Sequence, residues 1–150
     1  MRALLQRVSE ASVVISNQPV AAIAHGFLIL IGIEAEDGKD DLEWLAKKIT
    51  QLRIFSDNED KMNLDIKDVN GEIIVVSQFT LHAKTKKGNR PSYIKAARPE
   101  VAIPLYEDFK KQLSQTLGKE IQSGEFGADM KVSLTNDGPV TLWLDSKNKE

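Results

Sequence analysis

From Gly26 to Ile33 the chain is apolar or glycine at every position, and it is uniformly β-branched again from Ile73 to Val76. A strand with one wet face alternates, so unbroken runs of this length predict central, fully buried strands. The first run ends in Glu34-Ala35-Glu36-Asp37-Gly38, which reads as a turn. Before it, Ala3 to Val8, Ala11 to Ser16 and Val20 to Ile23 are short and rich in Val, Ile and Ala, with polar or Pro-containing breaks such as Asn17-Gln18-Pro19. They predict an antiparallel meander. Leu42, Leu45, Ile49 and Leu52 then recur at helical spacing, with Asp40 or Asp41 as the cap. A second helix is predicted from Val101, Leu105, Phe109, Leu113 and Leu117, ended by Gly118, with Pro104 tolerable only near the first turn. Between them Ser56 to Asn70 is a polar excursion. Met130 to Thr135 and Val140 to Leu144 alternate around Asn136-Asp137-Gly138, a hairpin signal. The expected fold is a single domain over residues 1–150, of α+β class: mostly antiparallel sheet curled into a barrel or roll, with two covering helices.

At 150 residues, 41% hydrophobic, the chain is large enough for a real core. No apolar run reaches the length of a membrane span and Met1 to Arg7 lacks the pattern of a secretion signal, so a soluble cytoplasmic protein is expected, with no membrane partner. With no cysteine, a thiol nucleophile, a disulfide and Cys-ligated metal are excluded. His25 and His82 are the only imidazoles and give at most a partial metal site, so chemistry without a metal or cofactor is expected.

The net charge of −2 conceals an uneven distribution. Lys84, Lys86, Lys87, Arg90, Lys95 and Arg98 lie in one stretch without a single Asp or Glu. Alone, that is a solvated basic loop. Beside a functional motif it becomes a phosphate-binding surface, since Lys and Arg supply the sequence-independent part of nucleic-acid affinity. The acidic group Asp57, Asn58, Glu59 and Asp60 lacks the spacing of a calcium loop and reads as a solvated turn.

Ser77-Gln78-Phe79-Thr80-Leu81 places hydrogen-bonding side chains where the apolar strand would ordinarily continue with Val or Leu. If this segment is catalytic, the composition leaves it a hydroxyl, an activated water, backbone donors or a group of the substrate itself. The hydroxyl candidates are Ser77, Thr80 and Thr141. In an extended chain Thr80 and His82 share a face, which suggests a dyad. A histidine at a strand end is more often a surface residue, however, and no Asp is placed to orient it. Periodicity alone reads Ser77 to Thr80 as a strand leaving the core and Asn136 to Pro139 as an ordinary tight turn, and it does not establish a cis bond before Pro139.

The two motifs together, Ser77 to Leu81 and Asn136-Asp137-Gly138-Pro139-Val140-Thr141, resemble the D-aminoacyl-tRNA (D-tyrosyl-tRNA) deacylases. Gln6-Arg7-Val8, Gly88-Asn89-Arg90-Pro91-Ser92 and Gly124 to Met130 extend the resemblance in the same order along nearly the whole chain. It implies a homodimer of barrel-like subunits that hydrolyses the ester of D-aminoacyl-tRNA and glycyl-tRNA. On the same resemblance Ser77, Gln78, Phe79 and Thr80 form the catalytic segment. Backbone N–H groups near Phe79 and Thr80 polarise the ester. Either Thr80 or a water assisted by the ribose 2′-hydroxyl attacks, and we favour the water. Gly138-Pro139 corresponds to a Gly-cis-Pro pair that enters the partner's site and excludes L-residues, with Arg7, Met130, Asn136 and Thr141 in support. Lys84, Lys86, Lys87 and Arg90 are assigned to the tRNA.

Overall fold

The computed structural model describes residues 1–150. Its organising element is one long strand, β1 (Arg2–Ile15). The sequence suggests a break at Ser9-Glu10, but both residues are simply exposed and the backbone runs on through them. Ser16 and Asn17, both at positive φ, turn the chain into β2 (Gln18–Ile23), so the connection is a two-residue hairpin rather than the expected break over Asn17-Gln18-Pro19. β3 (Gly26–Gly32) follows, with Gly26 opposite Val8 where β2 leaves Ile23 opposite Ala11. The first two strands of the expected meander are therefore one strand, β1, and β2 and β3 lie end to end along one of its edges.

The other edge of β1 is taken along its whole length by β8 (Met130–Asp145), from Ile15 opposite Met130 to Arg2 opposite Asp145. This corrects the predicted hairpin. Asn136 stands opposite Val8 and Thr141 opposite Gln6, so Asp137 to Val140 form a bulge within one sixteen-residue strand. Turn-forming residues favour reversal locally, but antiparallel pairing to β1 on both sides holds the direction.

β6 (Glu72–Ser77) pairs parallel with β3, and β7 (Gln122–Ser123) parallel with β6, so the sheet is mixed. The path β2-β1-β3-β6-β7 is nearly closed: the Gln122 side chain accepts from the Ala22 N–H at 2.8 Å and donates to the Ala22 carbonyl at 2.6 Å. Phe27, Ile29, Ile31, Ile73 and Val75 feed a core under the helices, while Leu28, Ile74 and Val76 feed a smaller one on the opposite face. Burial on both faces explains the unbroken apolar runs.

Two helices cover the larger core. α1 (Lys39–Gln51) begins at Gly38, whose N–H donates to Asp41; neither Asp40 nor Asp41 is the cap residue expected. α2 (Pro99–Leu117) ends at Gly118 in the left-handed region, as predicted. It buries Ala102, Tyr106, Phe109, Leu113 and Leu117, whereas Val101 is exposed. Pro104 lies inside this helix, past the first turn. The excursion after α1 contains a minimal hairpin of β4 (Phe55–Ser56) and β5 (Met62–Leu64).

Candidate active site

β6 ends at Ser77, and the chain then departs from the extended form on which a Thr80–His82 pair depends. Gln78 N–H still donates to the Ile31 carbonyl at 2.7 Å, after which Phe79–His82 wind into a 3-10 turn. Leu81 N–H bonds back to the Gln78 carbonyl. The N–H groups of Phe79 and Thr80, first in the turn, have no acceptor within the protein. Two adjacent free donors are the elements of an oxyanion site.

Beside them is a cavity of about 310 Å³, lined by Ser77, Gln78, Phe79, Met130 and Phe126 together with Ile31 and Ala97. Its lining is mostly apolar, and Asp129 is the one charged residue in it. Phe79 is 56% exposed and makes an edge contact to Tyr93, ring centres 5.0 Å apart. Tyr93 escaped the sequence reading; the available signal was an aromatic residue inside the basic stretch.

Thr80 is half-buried, and its hydroxyl accepts from the Gln78 amide at 2.5 Å. His82 is not at the surface as expected: it is fully buried, and neither ring nitrogen has a hydrogen-bond partner. No hydroxyl–imidazole dyad is formed.

Gly138 and Pro139 lie in the β8 bulge, exposed and joined by a cis peptide bond. Asn136 staples the neck of this bulge, donating to the Thr141 hydroxyl at 2.8 Å and accepting from Val140 N–H at 3.0 Å. Arg7 is buried behind it, donating through Nε to the Asp137 carbonyl at 3.0 Å and through a terminal nitrogen to the Ile54 carbonyl at 2.5 Å. Arg7 thus grips the carbonyl before Gly138, and its Nε also lies 3.3 Å from the Asp137 carboxylate.

One chain therefore assembles two groups. Ser77, Gln78, Phe79 and Met130 gather at the cavity, while Arg7, Asn136, Gly138, Pro139 and Thr141 gather at the bulge. The groups stay apart: Met130 and Asn136 are separated by the β1 span from Ile15 to Val8, roughly 23 Å at 3.3 Å per residue.

The basic segment leaves the turn directly. Lys84 and Ser92 close it with reciprocal backbone hydrogen bonds of 2.8 and 3.0 Å, and Lys84, Lys86, Lys87 and Arg90 are exposed with no acidic partner. No helix is long and apolar enough to cross a membrane.

The family model described as D-Tyr-tRNA(Tyr) deacylase matches residues 4–145. A D-aminoacyl-tRNA deacylase of Flavobacterium psychrophilum is 64% identical over 150 residues, covering 100% of both chains. Its counterpart in Bacteroides thetaiotaomicron is 63% identical over the same length and coverage. The solved structure of a c-Myc DNA unwinding element binding protein superposes with a TM-score of 0.92 at 41% identity, over 97% of this chain and 98% of that one. That of a probable eukaryotic D-amino acid tRNA deacylase, at 17% identity, shares the fold with a TM-score of 0.81 over 95% of this chain and 97% of that one.

Proposed function

The chain belongs to the D-Tyr-tRNA(Tyr) deacylase family and is a hydrolase of that family, and on that premise we propose a reaction and a site for it. The substrate is the ester between a D-amino acid, or glycine, and the 3′-terminal adenosine of tRNA, met in the cytoplasm. The observation that carries the reading is the pair of free N–H groups on Phe79 and Thr80 beside the cavity. They receive the ester oxygen as it gains charge, which lowers the barrier without any reorganisation of water.

Attack comes from a water assisted by the ribose 2′-hydroxyl. A threonine needs a base to become a nucleophile. Here the Thr80 hydroxyl is engaged by an amide donor and no imidazole reaches it.

Chirality is sorted at Gly138-Pro139, which acts in the cavity of a second copy. The bulge is exposed and lies far from its own chain's cavity, which supports completion by a partner. Its backbone carbonyls reject an L side chain by contact, a D side chain points away, and glycine escapes exclusion. Arg7, Asn136 and Thr141 hold the bulge in shape, Met130 shapes the cavity wall, and Lys84, Lys86, Lys87 and Arg90 bind the tRNA backbone.

The test is to incubate the protein with D-tyrosyl-tRNA, L-tyrosyl-tRNA and a free D-tyrosyl ester. Cleavage confined to the first supports the reading. Binding without cleavage marks an RNA-binding module, and cleavage of the free ester a small-molecule hydrolase; either result overturns it.

A further inference from the structure

His82 is completely buried, yet neither ring nitrogen finds a hydrogen-bond partner. Leaving a buried polar group unpaired costs stability, so an apolar side chain of similar volume would be expected for stability alone. The position of the ring suggests what offsets that cost. It closes the 3-10 turn whose first two residues carry the free N–H donors, and it lies behind that turn, against the end of β3.

Gly32 makes room for this packing. A Cβ there would sit 3.0 Å from the His82 Cδ2, 3.1 Å from its Nε2 and 3.1 Å from the Gln78 carbonyl oxygen. The ring and the base of the turn therefore converge on one point of β3. The turn is tethered at its ends, by Gln78 N–H on the Ile31 carbonyl and by Arg2 on the Leu81 carbonyl at 3.0 Å. Between these tethers the ring is fully buried on the Gly32 side of the turn.

On its other side the His82 Nδ1 is 4.0 Å from the Glu34 carboxylate. Glu34 pairs with Ala96 in an isolated bridge, and Ala97 N–H donates to the neighbouring Ile33 carbonyl at 2.9 Å. The segment anchored there carries Tyr93, whose ring meets Phe79 from outside. His82 and Glu34 thus lie between the donor turn and the segment that flanks it.

We propose that His82 is a positioning residue: seated on Gly32 and facing Glu34, its ring fixes the turn so that the Phe79 and Thr80 N–H groups remain aimed at the cavity. The inference rests on the deacylase reading. It predicts that stability and turnover respond in opposite senses. His82→Leu has similar volume and no unpaired nitrogens but lacks the flat ring seated on Gly32 and facing Glu34, so its thermal midpoint should equal or exceed that of the natural chain, while kcat on D-tyrosyl-tRNA falls about tenfold with KM unchanged. Glu34→Gln should give a smaller fall of the same kind, and the double variant should lose less than the product of the two.

The experiment measures kcat, KM and melting for the natural chain and the three variants. An inactive natural chain would refute the deacylase reading itself. An active one with unchanged kcat in a folded His82→Leu overturns the positioning role. Should that variant not fold, Glu34→Gln decides: lowered kcat at constant KM supports the proposal, and unchanged kcat overturns it.

Discussion

The Gln78 side-chain amide donates to the Thr80 hydroxyl at 2.5 Å, so the most conspicuous hydroxyl of the motif is an acceptor held by a neighbour rather than a nucleophile held by a base. Turnover on this account depends on backbone donors and the substrate's ribose. Thr80→Ala should keep D-aminoacyl-tRNA hydrolysis within about tenfold of the natural rate, while a terminal 2′-deoxyadenosine should nearly abolish it. An acyl group trapped on Thr80 would reverse this assignment.

Gly138 tolerates no side chain. Its φ is +122°, and a Cβ would meet an Arg7 terminal nitrogen at 2.7 Å and Val140 Cγ2 at 2.9 Å. Gly138→Ala should therefore displace the Arg7 anchor, lower stability by roughly 1 kcal/mol or more, and reduce hydrolysis of D-tyrosyl-tRNA at least tenfold. Melting curves and single-turnover rates on the same preparation separate the two effects.

The exposed cations after the turn have no acidic partners to release before binding phosphate. Replacing Lys86, Lys87 and Arg90 together by Gln should raise KM for tRNA, reduce the slope of log affinity against log salt by roughly two to three, and leave the D/L preference intact. Titrations at several salt concentrations provide the check.

The Asp41 carboxylate contributes to the acid limit. Burial alone raises the Asp41 carboxyl, but hydrogen bonds from Lys147, Ser146 and Gly38 outweigh it and hold it at about 2, against 3.8 when free. A depressed folded value means stability is fully present above pH 3.8 and drains away as pH falls toward 2. Melting temperature should drop across that window, and Asp41→Asn should flatten the drop while lowering stability at neutral pH.

Much of the scaffold was legible in the sequence because it obeys local rules. β3 and β6 follow from unbroken apolar runs, and α2 ends at Gly118 because only a residue free to turn left-handed closes it cheaply. Errors arose where a distant strand overruled local chemistry. Asn136-Asp137-Gly138 has the residues of a hairpin, yet pairing of both flanks to β1 makes it a bulge. His82 looked like a surface histidine because Gly32, which opens the space for it, is fifty positions earlier in the chain. The cavity residues Ser77, Gln78, Phe79 and Met130 were legible as motif, whereas Tyr93 and Ala97 join them only through the bridge from Glu34 to Ala96.

The central claim is that each working site is built from two chains, with the cavity from one and Gly138-Pro139 from the other. Mixing two inactive variants tests it most directly: Gly138→Ala, with a disturbed bulge, and Ala97→Trp, with a filled cavity. Random exchange should place one intact site in every heterodimer and restore about a quarter of natural activity on D-tyrosyl-tRNA, because half the dimers are mixed and each has one good site of two. No recovery after confirmed subunit exchange, or full activity in a preparation that sediments as a monomer, would contradict it.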